Sequence, residues 1–382
     1  HDRTQGGATE EAESSVTQAA AFTGDSGLDP SAAPTLSAAT WTEVSGASAA
    51  VGRLDQAGRQ LPNPNLLQRP SIRKEAVSTS ALEGTYAPLE DVLEADVLED
   101  ETQPSPAVRE VLNYVTVAEA GLEWIRERPV SVGMLCDLHR ILVAGTPGDT
   151  ADAGRVREAQ VVIGPQGSPV EQARYVPPPP GDQLVAGFRE WAEWIGAQSD
   201  MDPVVAVALA HYQFESLHPF NDGNGRLGRL VVVLQLIQRG VLHEGLLSIS
   251  PWLEQRRREY QDHLLVVSQT GDWDPWVRFM ALALHSQADE AVQRVERLLA
   301  FQDSMRDLAR THPLRGVAAR IAEDLIGRPL VTPTSASRMY GVSYQAANSA
   351  ISRLTGARVL RELTGRNYAR VFAADEVLRI IG

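Results

Sequence analysis

Twelve consecutive residues, His218-Pro219-Phe220-Asn221-Asp222-Gly223-Asn224-Gly225-Arg226-Leu227-Gly228-Arg229, combine a titratable base, a carboxylate, a glycine-rich turn and two arginines. Histidine is the side chain best matched to proton transfer near neutral pH, which makes His218 a candidate base. Gly223 and Gly225 let backbone approach a phosphate closely. Arg226 and Arg229 are three residues apart, so on a helix they point to one side and suit phosphate oxygens. Asp222 would repel a phosphate, but it suits Mg2+, which takes one or two carboxylates plus substrate phosphates. The chemistry implied is deprotonation of a group beside a bound nucleotide.

The flanking sequence predicts a helix on each side of this loop. Asp202-Pro203 caps the first, which carries Val204, Val207, Ala208 and Tyr212 and ends at His218, because the residue before a proline is pushed out of the helical region. The second carries Leu230-Val231-Val232-Val233-Leu234 to Gly240, and its free N-terminal N–H groups and dipole favour anions. Upstream, helices are expected over 41–60, stopped by Leu61-Pro62-Asn63-Pro64, and over Ile72–Glu83, closed by Gly84. Two more follow the caps Ser105-Pro106 and Ser131. The stretch 146–181 breaks the pattern. Val161-Val162-Ile163, the turn Gly164-Pro165-Gln166-Gly167, and Tyr175-Val176 before four prolines predict a hairpin flap. Helical spacing returns over Phe188–Ile195, 251–268 and 275–300. From Pro313 the style changes. Two short helices, Ser335–Tyr340 and Ser343–Leu354, flank Gly341, and a strand, turn and strand run from Val359 to Phe372, a helix-turn-helix with a wing. No internal repeat is visible.

Composition bounds the class. A chain of 382 residues accommodates two or three domains, and 43% hydrophobic residues support a soluble core. Cys136 is the lone cysteine, so there is no intrachain disulfide; it sits in an apolar run as a small buried side chain. No apolar run reaches the length of about 18 residues that reads as a membrane span. No secretory signal is visible, although the chain begins at His1, and the cytoplasm is the expected compartment. Lys74 is the single lysine against 34 arginines, which suggests a GC-rich, bacterial coding genome. The net charge of −14 is uneven: residues 313–382 hold 10 Arg against 5 Asp and Glu, leaving −19 on the remainder. A basic module on an acidic body raises the question of DNA.

The twelve-residue segment fits the pattern H-P-F-x-[D/E]-G-N-G-R-x-x-R at every fixed position, and in this the chain resembles Fic-domain proteins. The likeness extends over about 40–382. Residues 41–90, with Leu61-Pro62-Asn63 and Arg73-Lys74-Glu75-Ala76, resemble the N-terminal Fic-associated region. The hairpin at 155–180 stands where the family has a target-binding flap, and Ser250-Pro251-Trp252-Leu253 with Arg257 and Tyr260 resembles the segment after the core. The implied fold is mainly α: a Fic-type helical core with a β-hairpin flap, plus a C-terminal winged helix-turn-helix. The implied division is a disordered 1–39, an N-terminal Fic-associated helical region 40–104 with an inhibitory helix, a catalytic core 105–300, a linker 301–312 and the winged module 313–382.

The implied activity is transfer of AMP from ATP to a Ser, Thr or Tyr hydroxyl of a target protein, with release of pyrophosphate. By resemblance, His218 takes the hydroxyl proton and Asp222 holds Mg2+. Gly223, Asn224 and Gly225 cradle phosphates, Arg226 and Arg229 neutralise the β- and γ-phosphates, and Tyr260 belongs to the nucleotide pocket. Gln261 departs from relatives that carry a second Tyr there. Val161, Val162 and Ile163 of the flap are expected to pair with the target backbone as an added strand. Thr79-Ser80-Ala81-Leu82-Glu83-Gly84 fits the family's inhibitory pattern [S/T]-x-x-x-E-[G/N], in which the glutamate pairs with the second motif arginine, here Arg229. Other readings stay open: removal of AMP, transfer of another phosphorylated group, or a DNA-binding regulator that senses nucleotide. For DNA the candidates are Tyr344, Gln345, Asn348, Arg353 and, at the wing tip, Arg366, with Ala346, Ala347, Ala350 and Ile351 as the module's core. The alternative is a module for packing or homodimer formation.

Overall fold

The computed structural model describes residues 20–21, 34–59, 63–98, 103–164, 173–197, 200–311, 314–364 and 370–382. Most of the expected disordered segment, Leu61-Pro62, the turn residues Pro165–Gly167 and the wing tip around Arg366 lie outside these. Before the motif the elements are β1 (Ala20–Ala21), α1 (Ala38–Arg59), α2 (Pro64–Leu82), α3 (Leu89–Val97), α4 (Pro106–Trp124), α5 (Val132–Val143), β2 (Tyr175–Val176), α6 (Asp182–Gly196) and α7 (Pro203–Leu217). After it come α8 (Asn224–Gln238), α9 (Ser250–Gln255), α10 (Arg257–Thr270), α11 (Asp274–Thr311), α12 (Val317–Asp324), β3 (Leu330–Val331), α13 (Pro333–Tyr340), α14 (Tyr344–Gly356), β4 (Arg361–Glu362), β5 (Phe372–Ala373) and α15 (Asp375–Ile381).

Helices α7 and α8 form the centre. Both are buried almost all round, the pattern of a helix wrapped on every side by others. Their side chains meet Phe188 and Trp191 of α6 and Trp276 of α11. Trp191 donates its indole N–H to the Ala210 carbonyl at 2.9 Å, and Trp276 donates to Ala208 at 2.8 Å, so both large rings are buried with their polar atom satisfied. Helix α1 packs along the long α11 on one flank.

Several expectations shift. Helix α2 starts at Pro64, not Ile72, because the second proline of the expected stop takes the first helical position, where no N–H is needed. The expected linker 301–312 is helical through Thr311, since Phe301 and Met305 are buried and carry the core periodicity of α11 onward. Ser37 and Ala38 join the body, with Ser37 donating its N–H to Asp274 Oδ1 at 2.6 Å. Among the described residues of the flap, only Ile163 bridges to Tyr175; Val161 and Val162 form no strand. Cys136 is half-buried rather than fully buried.

The C-terminal part has α13 and α14 joined through Gly341, which adopts a left-handed φ of 64°, beside an antiparallel three-stranded sheet in the order β3-β5-β4. Ala347, Ala350 and Ile351 are buried as expected, whereas Ala346 is exposed, because it lies on the outer side of the first turn of α14. Helix α15 docks against α2 and α11, and the Lys74 ammonium reaches the Gly382 carbonyl at 3.3 Å. Among the described residues no helix is long and apolar enough to cross a membrane.

Trp276 is wholly buried. Trp276→Ala is expected to cost about 3–5 kcal/mol in chemical denaturation, the range for removing a large core aromatic.

Candidate active site

The loop between α7 and α8 is held from both sides. His218 ends α7 in a left-handed conformation, φ 47° and ψ 61°, which is unusual for a residue with a Cβ. Its N–H still bonds to Phe214 O at 3.0 Å. Arg157 fixes the other side. This buried guanidinium donates to the carbonyls of His218 at 2.8 Å, Ala159 at 3.0 Å and Pro178 at 2.5 Å, while its own N–H reaches Pro219 O at 2.9 Å. One side chain thus ties the His218 backbone to both arms of the flap. Phe220 N–H donates to Asn224 Oδ1 at 2.9 Å and Asn224 Nδ2 returns to Phe220 O at 2.8 Å. The Asn224 side chain is therefore spent on closing the loop, and only its backbone is left for a phosphate.

His139 of α5 supports the loop from below. Its ring stacks on Phe220 with centroids 4.2 Å apart. Gly154 N–H donates to Nδ1 at 2.8 Å, so Nε2 carries the proton and donates to Asp222 O at 3.0 Å. Burial lowers the His139 pKa, in keeping with this neutral tautomer. Gly223 takes φ 75° and has Leu142 beneath it, where a Cβ would sit 2.8 Å from Leu142 Cδ2.

His218 Nδ1 faces the Glu215 carbonyl at 3.3 Å. A carbonyl only accepts, so Nδ1 is the protonated nitrogen and Nε2 keeps its lone pair. Burial pushes the His218 pKa down to about 4, against a smaller upward pull from Glu83, and the ring is neutral at pH 7. An unprotonated Nε2 is therefore available to accept a proton without a prior deprotonation.

The two arginines are both buried but differ in their partners. Arg226 spans the carboxylates of Asp222, at 3.3 Å, and Glu110, at 3.5 Å. Glu110 also accepts from the Thr85 hydroxyl at 2.8 Å, just past the end of α2. Arg229 donates Nε to Thr79 Oγ1 at 2.7 Å, and one terminal N–H group reaches Thr79 O at 3.1 Å and Glu83 Oε1 at 2.5 Å. A side chain on Gly225 would overlap the Glu83 carboxylate, so that carboxylate lies directly over the N-terminal turn of α8. Burial raises the Glu83 pKa, but the Arg229 guanidinium, with Arg226 and His218, more than reverses this and holds it below the usual carboxylate range.

A cleft of about 410 Å³ opens beside these groups. Glu83, Gly225, Arg229, His218, Tyr260 and Ile163 all contribute to its walls. Asp222, Gly223, Asn224, Arg226, Val161 and Val162 lie outside that lining. Tyr260 is buried, with its hydroxyl 2.8 Å from His211 Nε2. Gln261 lines the cleft as well and accepts from Arg174 at 3.3 Å. Glu215, one turn before His218, also faces the cleft; burial raises its pKa to about 7, and its Oε1 has no hydrogen-bond partner. Arg157, His139, Glu110 and Glu215 are the residues that sequence reasoning missed. Glu215 alone carried a signal, a carboxylate three residues before the base on the same helix.

Comparison with known proteins places the chain among similar sequences and folds. Residues 41–123 match the family model described as Fic/DOC family N-terminal, and residues 129–236 match the one described as Fic/DOC family. The chain is 33% identical over 159 residues to "Protein adenylyltransferase Fic" of Drosophila ananassae, covering 41% of this chain and 28% of that protein. It is 31% identical over 167 residues to "Protein adenylyltransferase fic-1" of Caenorhabditis elegans, covering 43% and 28%. The matched region thus spans less than a third of these relatives' length. Among solved structures, a Fic family protein from Desulfovibrio desulfuricans G20 superposes with a TM-score of 0.56 at 22% identity, covering 90% of this chain and 97% of that one. Fic-1 from Caenorhabditis elegans gives 0.51 at 21%, covering 68% and 74%. At these identities the likeness is one of fold.

Two outcomes follow for the loop. Arg157→Ala leaves three carbonyls without their donor and is expected to cost about 2–4 kcal/mol in urea unfolding. The His218 pKa is lower folded than unfolded, so the unfolded chain binds that proton first and stability falls as pH drops from about 6.5 toward 4. The urea midpoint should fall across this window in the wild type and fall less in His218→Asn; parallel curves would contradict the assignment. The Glu83–Arg229 pair should persist unchanged from pH 5 to 8, because the carboxyl pKa is depressed.

Proposed function

The chain belongs to the Fic/DOC family, and we propose that it is a protein adenylyltransferase, moving AMP from ATP to a Ser, Thr or Tyr hydroxyl of a protein. The observation that carries this is a neutral histidine with a free Nε2 sharing one cleft with a helix N-terminus and a buried arginine. His218 Nε2 takes the hydroxyl proton as the hydroxyl oxygen forms its bond to the α-phosphorus. The bond from that phosphorus to the bridging oxygen of the β-phosphate breaks, and pyrophosphate leaves. The N–H groups of the first turn of α8, opened by Gly223 and Gly225, receive phosphate oxygens, and Arg226 and Arg229 offset their charge. Such transfer needs positioning and charge stabilisation more than covalent help.

Asp222 is the group suited to Mg2+. Among the described residues no cluster of three metal-ligating side chains exists, so this is a single half-exposed carboxylate, a donor set that fits an ion completed by substrate phosphates. The ion would supply charge neutralisation at the phosphates. Tyr260 forms part of the wall beside the nucleotide, and the flap around Ile163 guides the protein substrate.

Glu83 acts as a brake. Its carboxylate lies over Gly225 and on Arg229, where the terminal phosphate would be received. A triphosphate then binds with its α-phosphorus misplaced for attack, and small misplacements cost about a hundredfold in rate. The working divisions are 40–104 for the region carrying the brake, 105–300 for the catalytic core and a C-terminal module from 313. Packing is the role we favour for the module, since α15 docks on the same α2 that bears Glu83. The Asn348 side chain, a candidate for DNA, is taken by Arg370 at 2.7 Å.

The test is intact mass after incubation with Mg-ATP. Glu83→Gly should gain AMP at least about a hundredfold faster than wild type, and Glu83→Gly/His218→Ala should gain none. Equal labelling of wild type and Glu83→Gly, in protein that binds ATP, would remove the brake. AMP on the double variant would remove His218 as the base.

A further inference from the structure

The C-terminal module is seated on the first half of α2. Gly327, just after α12, packs so closely on Leu66 that a side chain there would overlap the Leu66 carbonyl. Two cavities flank this contact. One, of about 280 Å³, lies between the α2–α3 pair and the module, with Leu93, Val97, Leu325, Leu330 and Tyr340 among its walls. The other, of about 580 Å³, lies between α2 and α4 and is lined by polar groups such as Asn65, Gln68 and Glu123. Two side chains line both: Arg69 of α2 and Arg328 of the module. Among the described residues neither guanidinium donates a hydrogen bond, and Arg69 Nε is shut off from water with no acceptor. Asp96 stands 3.6 Å from Arg69, too far to accept. It is taken instead by the buried Arg73 at 2.6 Å, and Glu119 lies 3.6 Å from that same Arg73. Asp324 accepts the Tyr340 hydroxyl at 2.8 Å, Arg126 pairs with Glu244 at 3.1 Å, and Glu123 is exposed. Burial lowers the Arg69 pKa first, then Arg73, with Asp96 opposing, and then Arg328. Two guanidiniums without acceptors are a costly arrangement in a bare protein, and one that an oxyanion relieves.

We propose that Arg69 and Arg328 form a second anion site, apart from the His218 cleft, for a small phosphomonoester whose phosphate bridges the two guanidiniums and whose apolar body enters the first cavity. Two cations match a doubly charged phosphate better than a singly charged carboxylate, and the planar fork of each guanidinium suits two of its oxygens. Leu93, Val97, Leu325 and Leu330 supply the apolar walls that small-ligand cavities use. The bound molecule would fasten the module to the helix that ends at Glu83. Neither arginine lines the His218 cleft, so the site does not rest on the transferase reading and is tested without catalysis.

The probe is phenyl phosphate, titrated by calorimetry into full-length wild type, Arg69→Gln and Arg328→Gln, with benzoate as its carboxylate counterpart. Phenyl phosphate should bind wild type more tightly than benzoate does. Each variant should bind it at least about tenfold more weakly, the effect of losing one charge-assisted contact. The thermal midpoint of wild type should rise with the probe, and those of the variants should not. Neither substitution removes a side-chain hydrogen bond within the described residues, so without probe both should fold with a midpoint at or above that of wild type. No binding to wild type, tighter binding of benzoate, or a probe-free midpoint that falls in both variants would overturn the proposal. Equal affinity in wild type and both variants would overturn it too, by placing the probe elsewhere, the N-terminal turn of α8 included.

Discussion

A cation that water barely reaches organises this molecule. The Arg229 guanidinium is buried among helices, and a buried charge is tolerated only when paired and hydrogen-bonded. Its donors are met by Thr79, in the last turn of α2, and Glu83, which caps its end. The end of α2 is thereby brought over the start of α8, where the unpaired N–H groups of a helix collect. Had the cation been met by a residue elsewhere, the same helix terminus would be open to a phosphate. One ion pair thus decides both where the end of α2 lies and whether the first turn of α8 is free.

His218 is set by different means. His218 adopts a left-handed backbone, which costs energy unless the surroundings impose it. Arg157, the Asn224 clasp and the neutral ring of His139 impose it from three directions. The nitrogen that faces the cleft is the one without a proton because its partner on the other side of the ring is a carbonyl. Tautomer, ring orientation and loop path are parts of one hydrogen-bonded assembly.

The sequence was legible where function is local. The motif, the two helices around it and the Thr79–Gly84 pattern are short stretches whose residue types state their purpose, and the structure brings Glu83 to Arg229. It was illegible where function depends on distant partners. Arg157 is one arginine among 34 and has only carbonyls as partners, which leave no trace in side-chain identity. His139 looks like any histidine on an amphipathic helix until Phe220 and Asp222 fold onto it. The errors of extent have equally physical origins. Pro64 could stop a helix or start one, and only packing decides. The expected linker 301–312 carries no proline or glycine to break a helix, and Phe301 and Met305 continue the buried face of α11.

The setting of α2 carries a consequence for how such a protein can change over generations. The helix is not a strap laid on the surface. Arg73 is bonded to Asp96 at 2.6 Å, the buried Glu75 caps the start of α9 through Ser250, and Ser71 is engaged by Ser248 and Arg294. Sequence drift in its first four turns is constrained by folding itself, whatever happens to regulation. Freedom to vary is greater from Thr79 to Tyr86, where the helix ends, Gly84 turns the chain and Tyr86 stands exposed. Lineages could therefore alter how Glu83 sits on Arg229 through a handful of codons while the scaffold behind them stays fixed.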